Sequence, residues 1–210
     1  RLAELFGEAR RRGIPVDQTD RRAMVGMCET QTPQGVLGVV RMPDRNRDHA
    51  IAQKAAILLL DRIRDPGNLG LILRTAEAAG AGALFLSPGS VELYNPKVVR
   101  ASMGSIFRLP AFPNEDLPDL IRSLLETGTR VFSAHLEGTP FHHIRPEGPF
   151  ALLLGNEAFG VDPALNAFAD TSVSIPMGEG VESLNIAVAA GILLYRFSQP
   201  SLSPTRGEGA

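Results

Sequence analysis

An α/β fold with a parallel sheet covered by helices on both faces is what this 210-residue sequence predicts. Three observations carry that expectation. The apolar runs, such as 56–60 and 151–154, are short and continuous, as in strands buried on both faces. Helix-period segments alternate with them from residue 54 onward, which is the pattern of a parallel sheet. No run approaches the roughly 20 apolar residues needed to span a bilayer, so the runs belong to a core.

Each element has its own signal. Residues 1–22 read as a helix and a short extended link: Leu2, Leu5, Phe6 and Ala9 recur at helical spacing until Gly13 and Pro15. Residues 34–41 alternate and read as a strand. Residues 42–49 are polar, with Pro43 among them, and mark a domain boundary. The expected division is a partial small α/β domain with its linker at 1–46, a second domain at 47–197 and a loose Ser/Pro/Gly-rich tail at 198–210. Within the second domain, strands are expected at 56–61, 83–86, 130–134, 150–154 and 171–175. Helices are expected at 69–79, 96–103, 115–126 and 183–197, the second opening on Pro96, where a helix accepts proline.

Composition narrows the function. At 44% hydrophobic, the chain can build one good core and a small appendage. Cys28 is the single cysteine, so an internal disulfide and a cysteine zinc cluster are excluded, and a small buried hydrophobe is its expected role. Residues 1–15 are Arg-rich without the apolar stretch of a secretion signal, and a cytoplasmic location is expected. The chain opens on Arg1 rather than Met, as a fragment would. Net charge is −2, unevenly spread: residues 1–50 carry 9 Arg against 7 acids, the remainder 12 Lys plus Arg against 16 acids. Of the 21 cations 19 are arginine, which suits bidentate phosphate contacts and equally reflects a base-composition bias.

Sheets of this kind bind ligands where loops leave the carboxyl ends of strands. Three such loops are unusual. In 65–74 (Asp-Pro-Gly-Asn-Leu-Gly-Leu-Ile-Leu-Arg), Asn68 falls at a helix mouth and Arg74 six residues on, a combination suited to an anionic group. Glu77 lies three residues past Arg74, in pairing range. In 154–160 (Leu-Gly-Asn-Glu-Ala-Phe-Gly), an apolar strand ends in glycine and presents Glu157. In 174–185, Gly178 and Gly180 allow close backbone approach to a ligand, and Ser183 is placed to cap the following helix. The third loop is not a dinucleotide fingerprint, and no Walker A sequence occurs. Each loop alone also reads as an ordinary turn with solvated polar residues.

Together and in this order, the loops resemble the three motifs of the SpoU (TrmH-type) RNA 2′-O-ribose methyltransferases of the SPOUT superfamily. The first is Asp65-Pro-Gly-Asn-Leu-Gly…Arg74-Thr-Ala, continued by Arg100-Ala-Ser-Met-Gly-Ser. The second is Leu154-Gly-Asn-Glu…Gly160, and the third is Ile175-Pro-Met…Glu182-Ser-Leu-Asn-Ile-Ala-Val-Ala. The likeness spans residues 54–197. Residues 1–41 resemble the end of the substrate-binding domain that often precedes this catalytic domain, through Arg12-Gly-Ile-Pro-Val and Thr32-Pro-Gln-Gly-Val. The start of that domain would be missing.

The resemblance implies a deep trefoil knot in the C-terminal part of the sheet, a homodimer, and S-adenosylmethionine as cofactor. It implies that Leu154, Gly155, Ile175, Met177 and Leu184 line the cofactor pocket, with Ala134 beside them. An apolar slot with a few convergent backbone groups suits an adenosine. The implied reaction moves a methyl group to a ribose 2′-oxygen, with Asn68, Arg74, Glu157, Ser183 and Asn185 as the catalytic set. Arg74 would hold a phosphate or the forming alkoxide, because a guanidinium stays charged. Glu157 would orient Arg74 or the ribose, Ser183 and Asn185 would fix the loop and the substrate, and Asn68 would reach a site shared between subunits. RNA is the implied partner, ribosomal before transfer RNA, with Lys97, Arg100 and Arg108 as candidate phosphate contacts. A small-residue stripe on the last helix, Ala187, Ala190, Gly191 and Leu194, fits either a subunit interface or packing within the chain. His135, His142 and His143 lack the partner spacing of a metal site, and neither a metal nor a membrane is expected. The rival readings are base methylation, a transfer-RNA substrate, a non-catalytic knotted RNA-binding protein, and a plain nucleotide-binding α/β protein, which the missing phosphate loops disfavour.

Overall fold

The computed structural model describes residues 2–28, 32–53 and 56–198. Two compact units divide the chain, Arg1–Met42 and Pro43–Ala210. The expected tail beyond Ser198 lies outside the described residues.

The first unit holds α1 (Leu2–Arg11) and α2 (Arg21–Met27), neither with a buried residue. Glu8 accepts from Arg11 and Arg12 on one face of α1, and Asp20 caps α2 through Ala23 N. The extended segment expected at 34–41 forms no strand. A lone strand cannot satisfy its own backbone, and no described segment pairs with this one. Its apolar side chains are exposed, Val39 at 97%. Among the described residues the first unit is therefore helical, not α/β.

The second unit is a six-stranded sheet in the order β3-β2-β1-β5-β4-β6. Its strands are β1 (Ile57–Leu60), β2 (Ala83–Leu86), β3 (Ala111–Phe112), β4 (Arg130–Pro140), β5 (Phe150–Leu154) and β6 (Thr171–Ser174), and every pairing is parallel. Side chains alternate between two cores, as the pleat requires. Leu58 and Leu60 face a cluster supplied by α4 (Pro66–Ala78), α5 (Pro96–Ala101) and α8 (Ile186–Ser198). Ile57 and Leu59 face the other, supplied by α3 (Arg47–Ala52), α6 (Leu117–Glu126) and α7 (Pro163–Asn166). Helices thus cover both faces.

Caps move several boundaries from their expected places. Asp65 caps α4 through Asn68 N at 2.7 Å, so the helix starts at Pro66 and Asn68 sits inside its first turn. The last helix is capped by Asn185, whose Oδ1 accepts from Ala187 N at 2.9 Å; Ser183 does not cap it. Strand β4 runs past Ala134 to Pro140, with an irregularity between Ala134 and Thr139 against β6. Helix α3, short and polar, had no periodic signal.

Candidate active site

Strand order reverses between β1 and β5: from β1 the chain builds outward through β2 and β3, and the later strands lie on the other side. Loops leaving two such strands diverge and open a crevice at their carboxyl ends. An open cleft of ≈ 590 Å³ lies there, lined by Arg64, Asp65 and Asn68 after β1, by Asn156, Glu157, Ala158 and Phe159 after β5, and by Asn185.

A buried carboxylate sets the floor. Asp61 directly follows β1 and is 3% exposed. Its oxygens accept from Arg62 Nε (3.0 Å) and Nη2 (2.8 Å), Ser87 Oγ (3.2 Å) and Asp162 N (3.0 Å). Burying this charge requires such saturation, and the bonds tie the loops after β1, β2 and β5 together. Arg62 adopts φ 54°, and its carbonyl accepts from Asn156 Nδ2 at 2.9 Å. Asn156 Oδ1 in turn accepts from Ala158 N at 2.9 Å and Phe159 N at 3.2 Å. Reciprocal backbone bonds between Asn156 and Gly160 close this turn. Gly155 is required by the closure, since a Cβ there would lie 2.0 Å from Gly160 C and Val161 N.

On this floor, side chains from all three loops meet. Asn185 Nδ2 donates to Asn68 Oδ1 at 2.8 Å, and Asn68 Nδ2 donates to Glu157 Oε1 at 3.1 Å. Asp65 N approaches the same Oε1 at 3.4 Å, whereas Oε2 receives only Arg64 N at 3.5 Å, a weak contact. Glu157 Oε2 therefore keeps accepting capacity toward the cleft.

Arg74 and Ser183 stand apart from this cluster. Arg74 is exposed on α4, does not line the cleft, and has no hydrogen-bond or ion-pair partner among the described residues. Six residues along a helix turn it roughly 120° away from Asn68. The expected Arg74–Glu77 pair does not form. Glu77 instead accepts from Nε and Nη2 along one guanidinium edge of Arg108, Nη2 to Oε2 at 2.9 Å, and this pairing holds the Glu77 carboxyl below its ordinary range. The reason is packing: Gly70 admits α5 against α4, where a Cβ would lie 2.4 Å from Ala101 Cβ, and the segment after α5 brings Arg108 over Glu77. Arg108 is therefore engaged within the chain, while Lys97 and Arg100 are exposed.

The residues expected around the cofactor divide in two. Leu154 ends β5, Ile175 directly follows β6, and Ala134 lies within the adjacent strand β4, opposite Val173 where the pairing with β6 becomes irregular. Leu154 is buried in the core and Gly155 is packed against its own loop. Met177 is half-buried and Leu184 is exposed on the loop beyond β6. Between Pro176 and Leu184 the one backbone–backbone hydrogen bond is Val181 N to Gly178 O, among the described residues. An apolar ledge beside unspent peptide groups fits an adenosine-containing cofactor.

The stripe on α8 is consumed within the chain. Ala187, Ala190 and Leu194 are buried, and a Cβ on Gly191 would lie 3.2 Å from Thr75 Cγ2 of α4. Cys28 is free and half-buried, near Met24 Sδ. No group of three His, Cys, Asp or Glu converges as a metal site, and no helix is long and apolar enough to cross a membrane, among the described residues.

Asp61, Asn156, Arg64 and Phe159 were not singled out from the sequence. An acid closing an apolar strand was the available signal for Asp61, because a carboxylate buried there must be saturated.

Comparison with known proteins agrees with these motifs. Residues 55–195 match the SpoU rRNA Methylase family, and residues 1–45 match the RNA 2′-O ribose methyltransferase substrate binding family. A 23S rRNA guanosine 2′-O-methyltransferase of Bacillus subtilis is 38% identical over 184 residues, covering 87% of this chain and 72% of its own. A 23S rRNA guanosine 2′-O-methyltransferase of Xanthomonas axonopodis is 32% identical, covering 93% and 82%. The crystal structure of an AdoMet-bound rRNA methyltransferase from Sinorhizobium meliloti superposes with a TM-score of 0.78 at 29% identity, covering 96% of this chain and 78% of that one.

Proposed function

This chain belongs to the SpoU rRNA Methylase family, and from that premise we propose that it methylates a ribose 2′-hydroxyl of ribosomal RNA, using S-adenosylmethionine. The observation that carries the reading is the chain of amides and carboxylate, Asn185 to Asn68 to Glu157, which joins all three loops at the β1/β5 crevice.

S-adenosylmethionine supplies a methyl group on a positively charged sulfur. What remains for the protein is to hold a poor nucleophile in line and to receive its proton. Asn185 fixes Asn68, and Asn68 fixes Glu157 through Oε1, leaving Oε2 to accept a hydrogen bond from the ribose 2′-hydroxyl. As the new O–C bond forms, the hydroxyl proton passes to that carboxylate. Arg74, exposed and unpaired, takes the substrate's phosphate as a permanent cation. Ala134, Ile175, Met177 and Leu184, with the backbone of Leu154 and Gly155, form the adenosine ledge, and Ser183 contacts the substrate from the loop that carries Met177 and Leu184. The trefoil knot and the homodimer belong to the same reading.

The test is methyl transfer itself. Unmodified 23S rRNA incubated with the protein and S-adenosylmethionine should yield a 2′-O-methylnucleoside by mass spectrometry, at a linkage resistant to alkali. A methylated base at an alkali-labile linkage would overturn the ribose assignment.

A further inference from the structure

We infer that Phe159 is a stacking platform for an unstacked RNA base, the base of the nucleotide whose ribose sits against Glu157. The inference rests on the proposed RNA methylation and adds the element that grips the substrate.

Phe159 is 82% exposed, more than any other Phe or Tyr among the described residues, and it is the one aromatic side chain lining the cleft. Its exposure does not come from a slack loop. Asn156 Oδ1 accepts from Phe159 N, Asn156 Nδ2 anchors to Arg62 O, and the Asn156–Gly160 backbone bonds close the turn on both sides. The ring is thus held out on a braced turn, and the ordering cost of a binding platform is met before the ligand arrives.

Its neighbours fit one kind of occupant. Glu157, two residues away, carries the carboxylate oxygen left open for a hydroxyl. Two residues of extended chain reach at most about 7 Å, the scale of a single nucleoside. Arg64, exposed on the facing loop, adds a cation for the phosphate. A sugar hydroxyl, a flat base and a phosphate are together what this cleft can hold. Single-stranded RNA offers them when a base is splayed out onto an aromatic face. Because any base has a π-face, the ring contributes affinity and orientation rather than base identity.

The sequence contains no tryptophan, so Phe159→Trp installs a lone tryptophan at the platform, whose emission is excited selectively over that of the two tyrosines. Titrated at low salt with a ten-nucleotide oligoadenylate, this variant should lose emission. An abasic ribose-phosphate decamer of equal charge should leave emission unchanged. In turnover on unmodified 23S rRNA, Phe159→Ala should raise the RNA KM by roughly 5- to 100-fold, with the S-adenosylmethionine KM unchanged. Phe159→Trp should recover most of that loss. Equal quenching by the abasic decamer, no quenching by oligoadenylate, or an unchanged RNA KM in Phe159→Ala would each overturn the platform. So would emission that shifts on dilution without RNA, which marks a contact with a second copy. A wild-type protein that transfers no methyl group sinks the proposed function instead, and the quenching experiment still reads the platform.

Discussion

Arg74 is the residue on which sequence and structure pull hardest against each other. Its motif places it in the catalytic set, yet it stands exposed on α4, outside the cleft and unpartnered. A cation left unpaired in the protein alone is what a phosphate-binding role requires, since nothing must be released when the substrate docks. Arg74→Ala should therefore lower kcat about 100-fold or more, while calorimetry finds S-adenosylmethionine affinity within about twofold of wild type. Arg74→Lys should recover part of the rate, because a point charge replaces a bidentate fork. Methyl transfer by Arg74→Ala at the normal rate would remove this residue from the mechanism. Asp61 acts differently, through other residues. In Asp61→Asn one oxygen acceptor becomes an NH2 donor and faces donors that need acceptors, among them Asp162 N and the Arg62 guanidinium. The expected cost in a denaturant titration is about 1–3 kcal/mol. Amide exchange at Ala158 and Phe159 should quicken with it; a variant with unchanged stability and exchange would show that Asp61 does not brace the turn. Glu157, Asn68 and Asn185 were legible in the sequence because the three motifs that contain them each follow a readable strand, Glu157 in the turn after β5, Asn68 in the first turn of α4 and Asn185 where the loop after β6 enters α8. The Glu77–Arg108 pair was not, because its partners are 31 residues apart and meet only where Gly70 lets α5 approach α4.

The elements themselves were legible where burial is continuous. Ala83–Leu86 and Phe150–Leu154 have the expected bounds, because fully buried parallel strands read as unbroken apolar runs. Ends set by capping were less so: Ser183 and Asn185 are both good caps, and local sequence does not rank them. The strand expected at 34–41 failed for a different reason, since alternation describes a face and cannot supply the neighbour that face needs. The Glu77–Arg108 pair clips α4 to the turn beyond α5 and makes that junction sensitive to acid. The Glu77 carboxyl titrates below its unfolded value, chiefly through the hydrogen bond from Arg108 and then that from Ser105. Its stabilisation is complete above the unfolded value near 4.5 and is lost as pH falls through the lower folded value. Arg108 is solvent-exposed, so the effect is small. Glu77→Gln should lower Tm by about 1–3 °C at pH 7, and the difference from wild type should shrink away as the pH is taken down through the lowered range in which the folded carboxyl titrates. A difference that persists in acid would assign the loss to packing rather than to charge.

At the scale of the whole molecule, the proposed homodimer needs an apolar docking face. The small-residue stripe of α8, which fitted either a subunit interface or internal packing, is spent within the chain: Ala187, Ala190 and Leu194 are buried, and Gly191 lies against Thr75 of α4. The exposed apolar side chains of that helix are Val188 at 47% and Tyr195 at 48%. They are seven residues apart, hence on one stripe. A two-fold interface uses the same patch from both copies, so a stripe near its centre is buried twice over. If the homodimer implied by the family forms through α8, it must use this stripe, because no other large apolar side chain of the helix remains exposed. Wild type should then sediment as a dimer at micromolar concentration, and the double substitution Val188→Glu with Tyr195→Glu should sediment as a monomer. Four carboxylates forced together in an apolar contact, two from each copy, are incompatible with association. The cleft residues Asn68, Glu157 and Asn185 are bonded within one chain, so the monomeric variant should retain its fold by circular dichroism. Wild type sedimenting as a monomer would refute the dimer, whereas a variant that remains dimeric would move the interface off α8.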